Sequence, residues 1–315
     1  MPVVGSIIDL IGNTPLVDVS ALSPNPSARI LVKLEGQNPG GSVKDRIAKA
    51  MLDDLEAAGR LSPGATVLEP SSGNTGIGLA MLCRLKGYRL KVVLADNVSV
   101  ERRQLLEVWG AEIITSPGAE GSNGAVRRAQ ALADEHPDWV FPYQYANPAN
   151  PRAHYEGTGP EIWRDCPEVT HFVAGLGTSG TLLGVGRFLK EQKPAVKVWA
   201  IEPPAGEVVD GLRNLDDGYV PPIFVDNGGE ALLDRKMIVR PPESIEWTRR
   251  LTEVGIFAGP STGAALAGAA KCAAANDEAV IVVVSPDGGW KYLSLGVWAG
   301  DIAEVSERVR NVTLF

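Results

Sequence analysis

A lysine follows a Gly-Gly-Ser turn in the segment NPGGSVKDR (38–46). Apolar residues recur behind it at three- to four-residue spacing (Ile47, Met51 and Leu55), which predicts a helix with Lys44 in its first turn. The positive end of a helix dipole disfavours an ammonium group, so this position should lower the pKa of the Lys44 amine. Such an amine can act as a nucleophile at neutral pH, whereas a solvent-exposed Lys44 is the alternative that this stretch leaves open.

A glycine-containing loop, PSSGNTG (70–76), lies between a predicted strand and a predicted helix. Backbone N–H groups at a helix start bind anions, and this loop adds hydroxyl and amide side chains but no cation. A carboxylate therefore suits the loop, because several negative charges would need a positive partner. A well-capped turn without a ligand is the alternative. The polar side chains of the loop are Ser71, Ser72, Asn74 and Thr75.

A second loop, GLGTSGT (175–181), has a pattern that fits two kinds of phosphate site. Its glycines spell GxGxxG between a strand and a helix, and Glu202 follows Gly180 by 22 residues, which is typical of NAD-binding domains. An NAD-dependent oxidoreductase is therefore one hypothesis. A cup for a single phosphate is the other, and three hydroxyl side chains favour it because a dinucleotide turn does not need them. The cup would consist of Gly177, Thr178, Ser179, Gly180 and Thr181.

An aimed lysine, a carboxylate loop and a phosphate cup together indicate one cofactor. Pyridoxal phosphate carries one phosphate and an aldehyde that condenses with a lysine, and an amino-acid substrate brings the carboxylate. A partner for the pyridine nitrogen would complete the site, and Ser261 in the turn GPSTG (259–263) is a candidate. These residues predict an enzyme that uses pyridoxal 5'-phosphate and acts on an amino acid.

Predicted strands and helices alternate along the chain, and the two loops join strands to helices. Aliphatic runs such as AVIVVVS (279–285) predict buried strands, and runs with helical spacing such as TGIGLAMLCRLKG (75–87) predict helices. Ser99 is a candidate N-cap for a helix over 99–110. This alternation predicts an α/β fold with twisted, mostly parallel sheets that helices cover on both faces.

The bulk composition argues against several classes of function. The chain has 315 residues, of which 44% are hydrophobic, and a net charge of −8; nucleic-acid-binding proteins usually carry a basic surface, so no nucleic acid is expected. The longest aliphatic run, AVIVVV (279–284), is too short to span a membrane, and the first residues lack the basic start of a secretory signal. A globular protein that acts on small molecules remains.

The cysteines and histidines show neither disulfide nor metal-binding spacing. Three isolated cysteines are typical of reduced, buried thiols in the cytoplasm, with a thiolate nucleophile as the alternative; they are Cys83, Cys166 and Cys272. The histidines are interpreted as structural and no metal is expected; they are His136, His154 and His171.

Several long motifs follow one another in a fixed order along nearly the whole chain. They are IGNTPLV (11–17), KLEGQNPGGSVKDR (33–46), EPSSGNTGIGLA (69–80), ERRQLLEVWGAEII (101–114), NPANPRAHYEGTGPEIW (147–163), THFVAGLGTSGTLLGVGRFL (170–189), EVGIFAGPSTGAAL (253–266) and GGWKYLS (288–294). Through them the chain resembles the cysteine synthases, of the cysteine synthase B or O-phosphoserine sulfhydrylase type, in the fold type II (tryptophan-synthase-β) group of pyridoxal-phosphate enzymes. The departures are mild: Ser71 stands where threonine is usual, Pro260 replaces isoleucine or valine, and GGWKYLS replaces the commoner GERYLS.

The resemblance implies a role for each residue of the candidate site. Lys44 would attach the cofactor covalently and move the α-proton of the substrate, in a dry pocket that keeps its amine partly neutral. Asn74 would contact the ring hydroxyl of the cofactor, Ser261 would face the ring nitrogen, residues 177–181 would bind the phosphate, and His154 would lie nearby. The substrate carboxylate would be held by Ser71, Ser72, Thr75 and Gln144.

The resemblance also implies the organisation of the protein. Residues 38–143 would form a smaller α/β domain with the carboxylate loop, and residues 1–37 and 144–315 would form a larger one with the phosphate loop. The cofactor would lie between the domains, and their closure would exclude water. Members of this group are usually homodimers, and a cytoplasmic location is expected.

The reaction that the resemblance implies is a β-replacement that makes L-cysteine from an activated serine ester and a sulfur donor. Arg213, in GEVVDGLRNLDDGYVP (206–221), would pair with the phosphate of O-phospho-L-serine, because a guanidinium suits a dianion and gains little from an acetyl ester. A surface ion pair of Arg213 with Asp216 or Asp217 is the alternative. The sulfur donor stays open between sulfide, thiosulfate and a protein-bound thiocarboxylate.

Other functions remain as alternatives at this stage. A cysteine synthase B that uses O-acetyl-L-serine or thiosulfate would share most of the motifs. A cystathionine β-synthase is less favoured because no C-terminal regulatory module follows, and a threonine dehydratase because the long cysteine-synthase motifs are present. A chain that binds an acyltransferase or a regulator without turnover is another alternative, and the NAD hypothesis rests on the pattern at 175–202 alone.

Overall fold

The computed structural model of the protein describes residues 3–71 and 73–310. Its strands are β1 (Leu16–Asp18), β2 (Arg29–Leu34), β3 (Thr66–Pro70), β4 (Arg89–Ala95), β5 (Glu112–Ser116), β6 (His171–Gly175), β7 (Lys197–Glu202), β8 (Arg235–Ile238) and β9 (Val280–Ser285). Its α-helices are α1 (Lys44–Ala57), α2 (Asn74–Lys86), α3 (Val100–Val108), α4 (Gly121–Glu135), α5 (Ala149–Ala153), α6 (Gly159–Asp165), α7 (Gly180–Gln192), α8 (Pro222–Asp226), α9 (Gly229–Leu232), α10 (Pro241–Glu253), α11 (Pro260–Ala275) and α12 (Ile302–Arg310). Within the described ranges, no helix is both long enough and apolar enough to cross a bilayer.

The larger sheet has six strands in the order β1-β2-β9-β6-β7-β8. The pair β1–β2 is antiparallel and the remaining pairs are parallel. Because β6 and β9 are parallel neighbours, their carboxyl ends lie side by side at one edge of the sheet. Ligands of open α/β sheets bind at such an edge. The loop at 175–181 follows β6, and the segment GGWKYLS (288–294) comes shortly after β9.

The smaller sheet contains β3, β4 and β5, all parallel. Val140 extends it by a single bridge to Val67, and its backbone exchanges hydrogen bonds with β3. The loop that the sequence predicts to hold a carboxylate joins β3 to α2. The two sheets are separate, and the proposed domain boundaries, 38–143 against 1–37 with 144–315, stay a prediction.

Both faces of the larger sheet are covered by apolar side chains, as β9 illustrates. Ile281 and Val283 point into a core cluster that includes α11, and Val282 and Val284 point into another that includes α7. The smaller sheet likewise has an apolar cluster on each face. β-Branched residues suit a strand that is buried on both faces, which is why the run VIVVVS forms one. The predicted α/β fold with helix-covered, mostly parallel sheets is confirmed.

Close packing of α10 against α11 fixes the position of Ser261. A Cβ atom on Gly263 would lie 2.1 Å from Thr248 Oγ1 and 2.2 Å from the Ser244 carbonyl oxygen, so only glycine allows this approach. The Ser244 hydroxyl also donates a hydrogen bond to the Pro260 carbonyl at 2.7 Å. The first turn of α11, which carries Ser261, is therefore held in place by its neighbour.

The first turn of α1 is anchored by four charged residues in the protein interior. Arg46 donates to both carboxylate oxygens of Glu35 at 2.7 and 2.8 Å, and to both of Glu161 at 2.7 and 2.8 Å. Lys33, which is fully buried, pairs with Glu161 at 2.7 Å. Two cations balance two anions, which avoids the cost of an unpaired charge in the interior. The cluster thereby fixes the helix turn that begins with Lys44.

Arg46→Met should destabilise the protein strongly, because it leaves Glu35 and Glu161 with too little positive charge. We expect the free energy of unfolding to fall by about 3–5 kcal/mol, measured by urea denaturation at neutral pH. Lys49→Met in the same helix is the control, since its pair with Asp53 is about 40% exposed on both sides and should contribute less than about 1 kcal/mol. Equal losses in the two variants would contradict the anchoring role.

The same cluster predicts a loss of stability in acid. Burial alone would raise the pKa of Glu161, but hydrogen bonds and charges from Arg46 and Lys33 outweigh it and lower that pKa to about 2. A carboxylate with a depressed pKa stabilises the folded state fully above its ordinary value of 4.5 and loses this contribution as the pH falls towards 2. The urea midpoint should therefore fall less steeply with acid in Arg46→Met than in the native protein.

Candidate active site

Lys44 is the first residue of α1, as predicted, and its side chain lines a cavity. The turn before it is held by Asp45, whose carboxylate accepts the Gly40 N–H at 2.5 Å. The Val43 N–H donates to the Pro286 carbonyl at 2.8 Å, which ties this turn to the end of β9. The backbone of Lys44 is thus fixed, and its amine is directed into the cavity.

The environment of the Lys44 amine lowers its pKa to about 8. Desolvation is the main cause, because the ammonium form loses hydration inside the protein. The charge of Lys291 lowers the pKa further, and the carboxylate of Asp287 acts in the opposite direction. The direction agrees with the expectation from the sequence, and burial is the largest cause. A useful fraction of the amine is neutral near physiological pH.

The loop after β6 lines the same cavity as Lys44. All five residues of the predicted phosphate cup, 177–181, contribute to its wall, together with Ser261. Ser179 adopts a left-handed backbone with φ of 73°, which turns the chain sharply into α7. A Cβ atom on Gly180 would lie 1.8 Å from Asn150 Oδ1, so glycine is required there. The cup and the lysine therefore meet, as the sequence predicts.

The loop is supported by Asn150 and His154. The sequence analysis did not predict that either residue shapes it. Asn150 donates from Nδ2 to Thr178 Oγ1 at 3.0 Å and to the Gln144 carbonyl at 2.9 Å, so it links the phosphate cup to the carboxylate side. His154 Nε2 lies 3.2 Å from Thr181 Oγ1. Burial, and then the charge of nearby Lys44, lower the pKa of His154 well below its usual range, so the ring is neutral.

A second cavity adjoins the first and shares Lys44, Gly211 and Ser261 with it. The described residues of the carboxylate loop line this cavity, as does Gln144. They are Ser71, Gly73, Asn74 and Thr75; Ser72, which the sequence also assigns to this loop, lies outside the described residues. The candidate phosphate and carboxylate sites are therefore neighbours with one lysine between them.

Hydrogen bonds within the carboxylate loop define its shape. Ser71 Oγ accepts the Gly76 N–H at 2.9 Å, and the Thr75 hydroxyl donates to Gln144 Oε1 at 2.6 Å. The buried carboxylate of Glu69 accepts the Gln144 N–H at 3.0 Å. Burial raises the pKa of Glu69 to about 8, with the Gln144 hydrogen bond opposing the rise. Glu69 is a further residue that the sequence analysis did not identify.

Asn74 lies between a buried lysine and a buried aspartate that the sequence analysis also missed. Its Oδ1 accepts from Lys291 Nζ at 2.6 Å, and its Nδ2 donates to Asp287 Oδ2 at 2.8 Å. Tyr292 donates from its hydroxyl to the same Asp287 oxygen at 2.5 Å. The signal that could have found this group is the departure of GGWKYLS (288–294) from the usual family motif.

The wall of the second cavity also carries charge. Arg102 forms a buried ion pair with Asp210, and its guanidinium lies 5.0 Å from the ring centre of Tyr292. Burial raises the pKa of Asp210 to about 6, with Arg102 opposing the rise. All three residues line the second cavity. Arg102 lies in one of the family motifs, but nothing in its local sequence indicated a buried ion pair.

Arg213 is buried and does not lie at the surface, being only 9% exposed. Its guanidinium carbon lies 4.7 Å from the ring centre of Tyr219 and 5.6 Å from that of Tyr145, and Tyr145 lines the second cavity. Nη1 of Arg213 contacts Asn123 Oδ1 at 3.4 Å. The backbone N–H of Arg213 donates to the Leu176 carbonyl at 2.7 Å, next to the phosphate cup. Arg213 thus lies one aromatic ring away from the candidate substrate space.

The three cysteines are free, buried thiols, as expected from the sequence. Desolvation raises their pKa values to about 12, 11 and 12, which makes a thiolate nucleophile the wrong alternative; the residues are Cys83, Cys166 and Cys272. In the ranges that the structure describes, no three histidine, cysteine or acidic side chains are grouped to hold a metal ion.

Lys44 should titrate with a pKa near 8 in protein from which hydroxylamine has removed carbonyl ligands, because desolvation disfavours its ammonium form. Competitive acetylation across a pH series, followed by peptide mass spectrometry, measures the neutral fraction of each lysine. Lys271, exposed on α11, supplies the reference curve. Labelling of Lys44 should rise at markedly lower pH than that of Lys271, and coincident curves would contradict the assigned environment.

Comparison with known proteins agrees with this arrangement. The model of the family described as "pyridoxal-phosphate dependent enzyme" matches residues 7–287. Cysteine synthase B of Salmonella typhimurium is 43% identical over 290 residues, which are 91% of this chain and 94% of that protein. The crystal structure of an O-ureido-L-serine synthase is 37% identical, with a TM-score of 0.88 over 97% of this chain and 100% of that one. A cysteine synthase from Entamoeba histolytica is 32% identical, with a TM-score of 0.87 over 98% and 96% of the two chains.

The cavity fits the cofactor that these relatives indicate. One cavity is lined by a glycine-containing loop with three hydroxyl side chains, by a lysine with a lowered pKa and by the buried hydroxyl of Ser261. Glu202, which the NAD hypothesis would place on a ribose, is buried and accepts the Leu215 N–H at 3.3 Å, so the structure gives that hypothesis no support. The predicted cofactor, pyridoxal 5'-phosphate, is confirmed. The chain belongs to the family of pyridoxal-phosphate dependent enzymes, within its cysteine synthase group.

Proposed function

We propose that this enzyme makes L-cysteine by β-replacement on an activated serine ester, with O-phospho-L-serine preferred over O-acetyl-L-serine. One observation carries the proposal: two adjoining cavities share Lys44 and Ser261, one lined by the hydroxyl-rich phosphate loop and the other by the neutral carboxylate loop. This arrangement supports neighbouring sites for an amino-acid substrate and a phosphorylated cofactor, with Lys44 lining both.

Lys44 is proposed to attach the cofactor and then to move the substrate's α-proton. When bound, pyridoxal 5'-phosphate supplies an aldehyde and an electron-withdrawing ring that make that proton acidic. With its pKa near 8, Lys44 Nζ is neutral in part and can accept a proton and return it at neutral pH. Its fixed backbone at the start of α1 keeps the amine within reach of both cavities.

Asn74 is proposed to contact the cofactor's ring hydroxyl, and Thr75, Ser71 and Gln144 to hold the substrate carboxylate. The N–H groups of the first turn of α2 have no partners within that helix and can donate to a carboxylate, with a favourable contribution from the helix dipole. The Thr75 hydroxyl and the Gln144 amide, now bonded to each other at 2.6 Å, would turn towards the substrate. Ser72 is included in this group on the family resemblance alone.

Ser261 is proposed to be the neutral partner of the ring nitrogen. Its side chain is 4% exposed and lies at the wall that the two cavities share. A carboxylate in this place would hold the ring nitrogen protonated and so make the cofactor a stronger electron sink. A hydroxyl would do so less, so Ser261 would leave the ring a weaker electron sink, which suits loss of the β-substituent.

The preference for a phosphate leaving group is proposed on Arg213. Its guanidinium lies against Tyr145, which lines the substrate cavity, and its backbone is bonded beside the phosphate loop. A guanidinium can form two parallel hydrogen bonds to a phosphate dianion but gains little from a neutral acetyl group. We propose that the guanidinium moves past Tyr145 into the substrate cavity when the phosphorylated substrate binds.

Arg213→Ala should lower kcat/KM for O-phosphoserine by about 10- to 100-fold and for O-acetylserine by less than about threefold, because a charged hydrogen bond is lost only with the phosphate. Cysteine formed with sulfide is measured for both esters. Arg60→Ala, at an exposed arginine, is the matched control and should leave both values unchanged. Lys44→Ala should form no cysteine from either ester.

Two outcomes separate the parts of this proposal. Equal losses on both esters in Arg213→Ala would contradict the phosphate preference and leave the O-acetylserine-dependent reaction in its place. Cysteine formation by Lys44→Ala at more than about a tenth of the native rate would contradict the β-replacement mechanism itself.

The assembly and the sulfur donor are proposed on the family resemblance. We propose a cytoplasmic location, which the three free thiols support, and a homodimer, which rests on the resemblance alone. The donor would be sulfide, thiosulfate or a protein-bound thiocarboxylate, each of which delivers a sulfur nucleophile to the β-carbon. Neither a nucleic acid nor a membrane is a proposed partner.

A further inference from the structure

Lys291 is a second lysine at the candidate site, and the proposed reaction gives it no role. It lies in the 3-10 segment Gly289–Leu295 that follows β9, and its side chain is completely buried. Its Nζ donates to Asn74 Oδ1 at 2.6 Å and to the Gly41 carbonyl at 3.0 Å. One cation thus bonds both the turn before Lys44 and the residue proposed to contact the cofactor ring.

These contacts decide which way the Asn74 amide faces. An ammonium group has donors only, so the Asn74 atom against Lys291 must be the carbonyl oxygen. Asp287 Oδ2 accepts, so the atom at 2.8 Å from it must be the NH₂ group. Turning the amide by half a turn would place a donor against the ammonium and an acceptor against the carboxylate. Two independent contacts therefore select one orientation.

Burial lowers the pKa of the Lys291 amine, and the charges of Arg102 and Lys44 act in the same direction. The carboxylates of Asp287, Asp45 and Asp210 oppose that shift and so favour the ammonium form. The chain places Lys291 and Asp287 on one segment after β9, so the donor and the acceptor that face Asn74 move together. A buried cation that donates to two oxygens in this way is well suited to hold an amide in one orientation.

We propose that Lys291 is a positioning residue, which fixes the Asn74 amide with its NH₂ group available to the ring hydroxyl of the cofactor and ties it to the turn that carries Lys44. The inference rests on the proposed function in one respect, since the contact of Asn74 with the cofactor is itself part of that proposal. In a correctly oriented amide, one N–H donates to Asp287 and the other remains for an oxygen of the cofactor.

Lys291→Met removes the donor and keeps a long apolar side chain of similar size. We expect the dissociation constant of the cofactor, measured by equilibrium dialysis of the holoenzyme, to rise at least about tenfold, as befits a lost hydrogen bond to a charged group. The absorption maximum of the holoenzyme should shift, because the hydrogen bond to the ring oxygen weakens. Lys291→Arg, which restores a donor-only cation, should bring both quantities back towards the native values.

A double-variant cycle distinguishes positioning through Asn74 from a general structural role. In the background of Asn74→Ala, replacing Lys291 with Met should weaken cofactor retention by less than about threefold, because the residue through which it acts is gone. Lys271→Met, at an exposed lysine, is the control and should change neither cofactor retention nor the absorption spectrum. If Lys291→Met still weakened cofactor binding tenfold in the Asn74→Ala background, the inference would be overturned.

Two further results would also overturn it. The first is that Lys291→Met, shown to be folded by its thermal unfolding, retains the cofactor as tightly as the native holoenzyme and has an unshifted absorption spectrum. If that variant does not fold, Lys291→Gln replaces it: a neutral amide can turn either face to Asn74, so retention should fall at least about threefold, and native behaviour would contradict the need for a donor-only group. Failure of the proposed function is seen separately, as the absence of a cofactor adduct on Lys44 in the native holoenzyme.

Discussion

The proposed site depends on one constraint: a largely desolvated amine, neutral in part, has to be held at the first residue of a helix. Lys44 meets it because α1 is fixed from behind by the ion pairs of Arg46 and from in front by the turn at Gly40 and Gly41. Everything else follows from that position. The phosphate cup comes from the larger sheet and the carboxylate loop from the smaller one, and each needs the amine at a defined place.

Charge in this interior is arranged in two different ways. Around Arg46, cations and anions are matched and directly bonded, so the cluster serves as an anchor. Among residues 3–71 and 73–310, no side chain forms such a direct ion pair with Lys44; desolvation and Lys291 lower its pKa while Asp287 opposes them. The contrast explains how one short segment, KDR (44–46), contains both an amine with a lowered pKa and a permanently charged guanidinium. Hydrogen bonding, not distance from solvent alone, separates the two roles.

Much of the fold and part of the site could be predicted from the sequence, because those signals are local. The run VIVVVS predicts a buried strand, helical spacing predicts α1 with Lys44 at its start, and glycines with hydroxyls predict the cup at 177–181. The partners of Asn74 could not be predicted in this way, since Lys291 and Asp287 lie 217 and 213 residues from it in the chain. The sequence predicts for Arg213 either a substrate phosphate partner or a surface ion pair; the structure buries its guanidinium against two tyrosine rings, and the substrate role stays a proposal. Packing between distant loops decides such burial.

Attachment of the cofactor at Lys44 is the claim on which this account depends most directly, and two lysines with lowered pKa values are present to compete for it. Reduction of the native holoenzyme with borohydride, followed by proteolysis and peptide mass spectrometry, locates the attachment. The account predicts a pyridoxyl group on the peptide that contains Lys44 and an unmodified peptide for Lys291. A pyridoxyl group on Lys291, or on neither lysine, would contradict it.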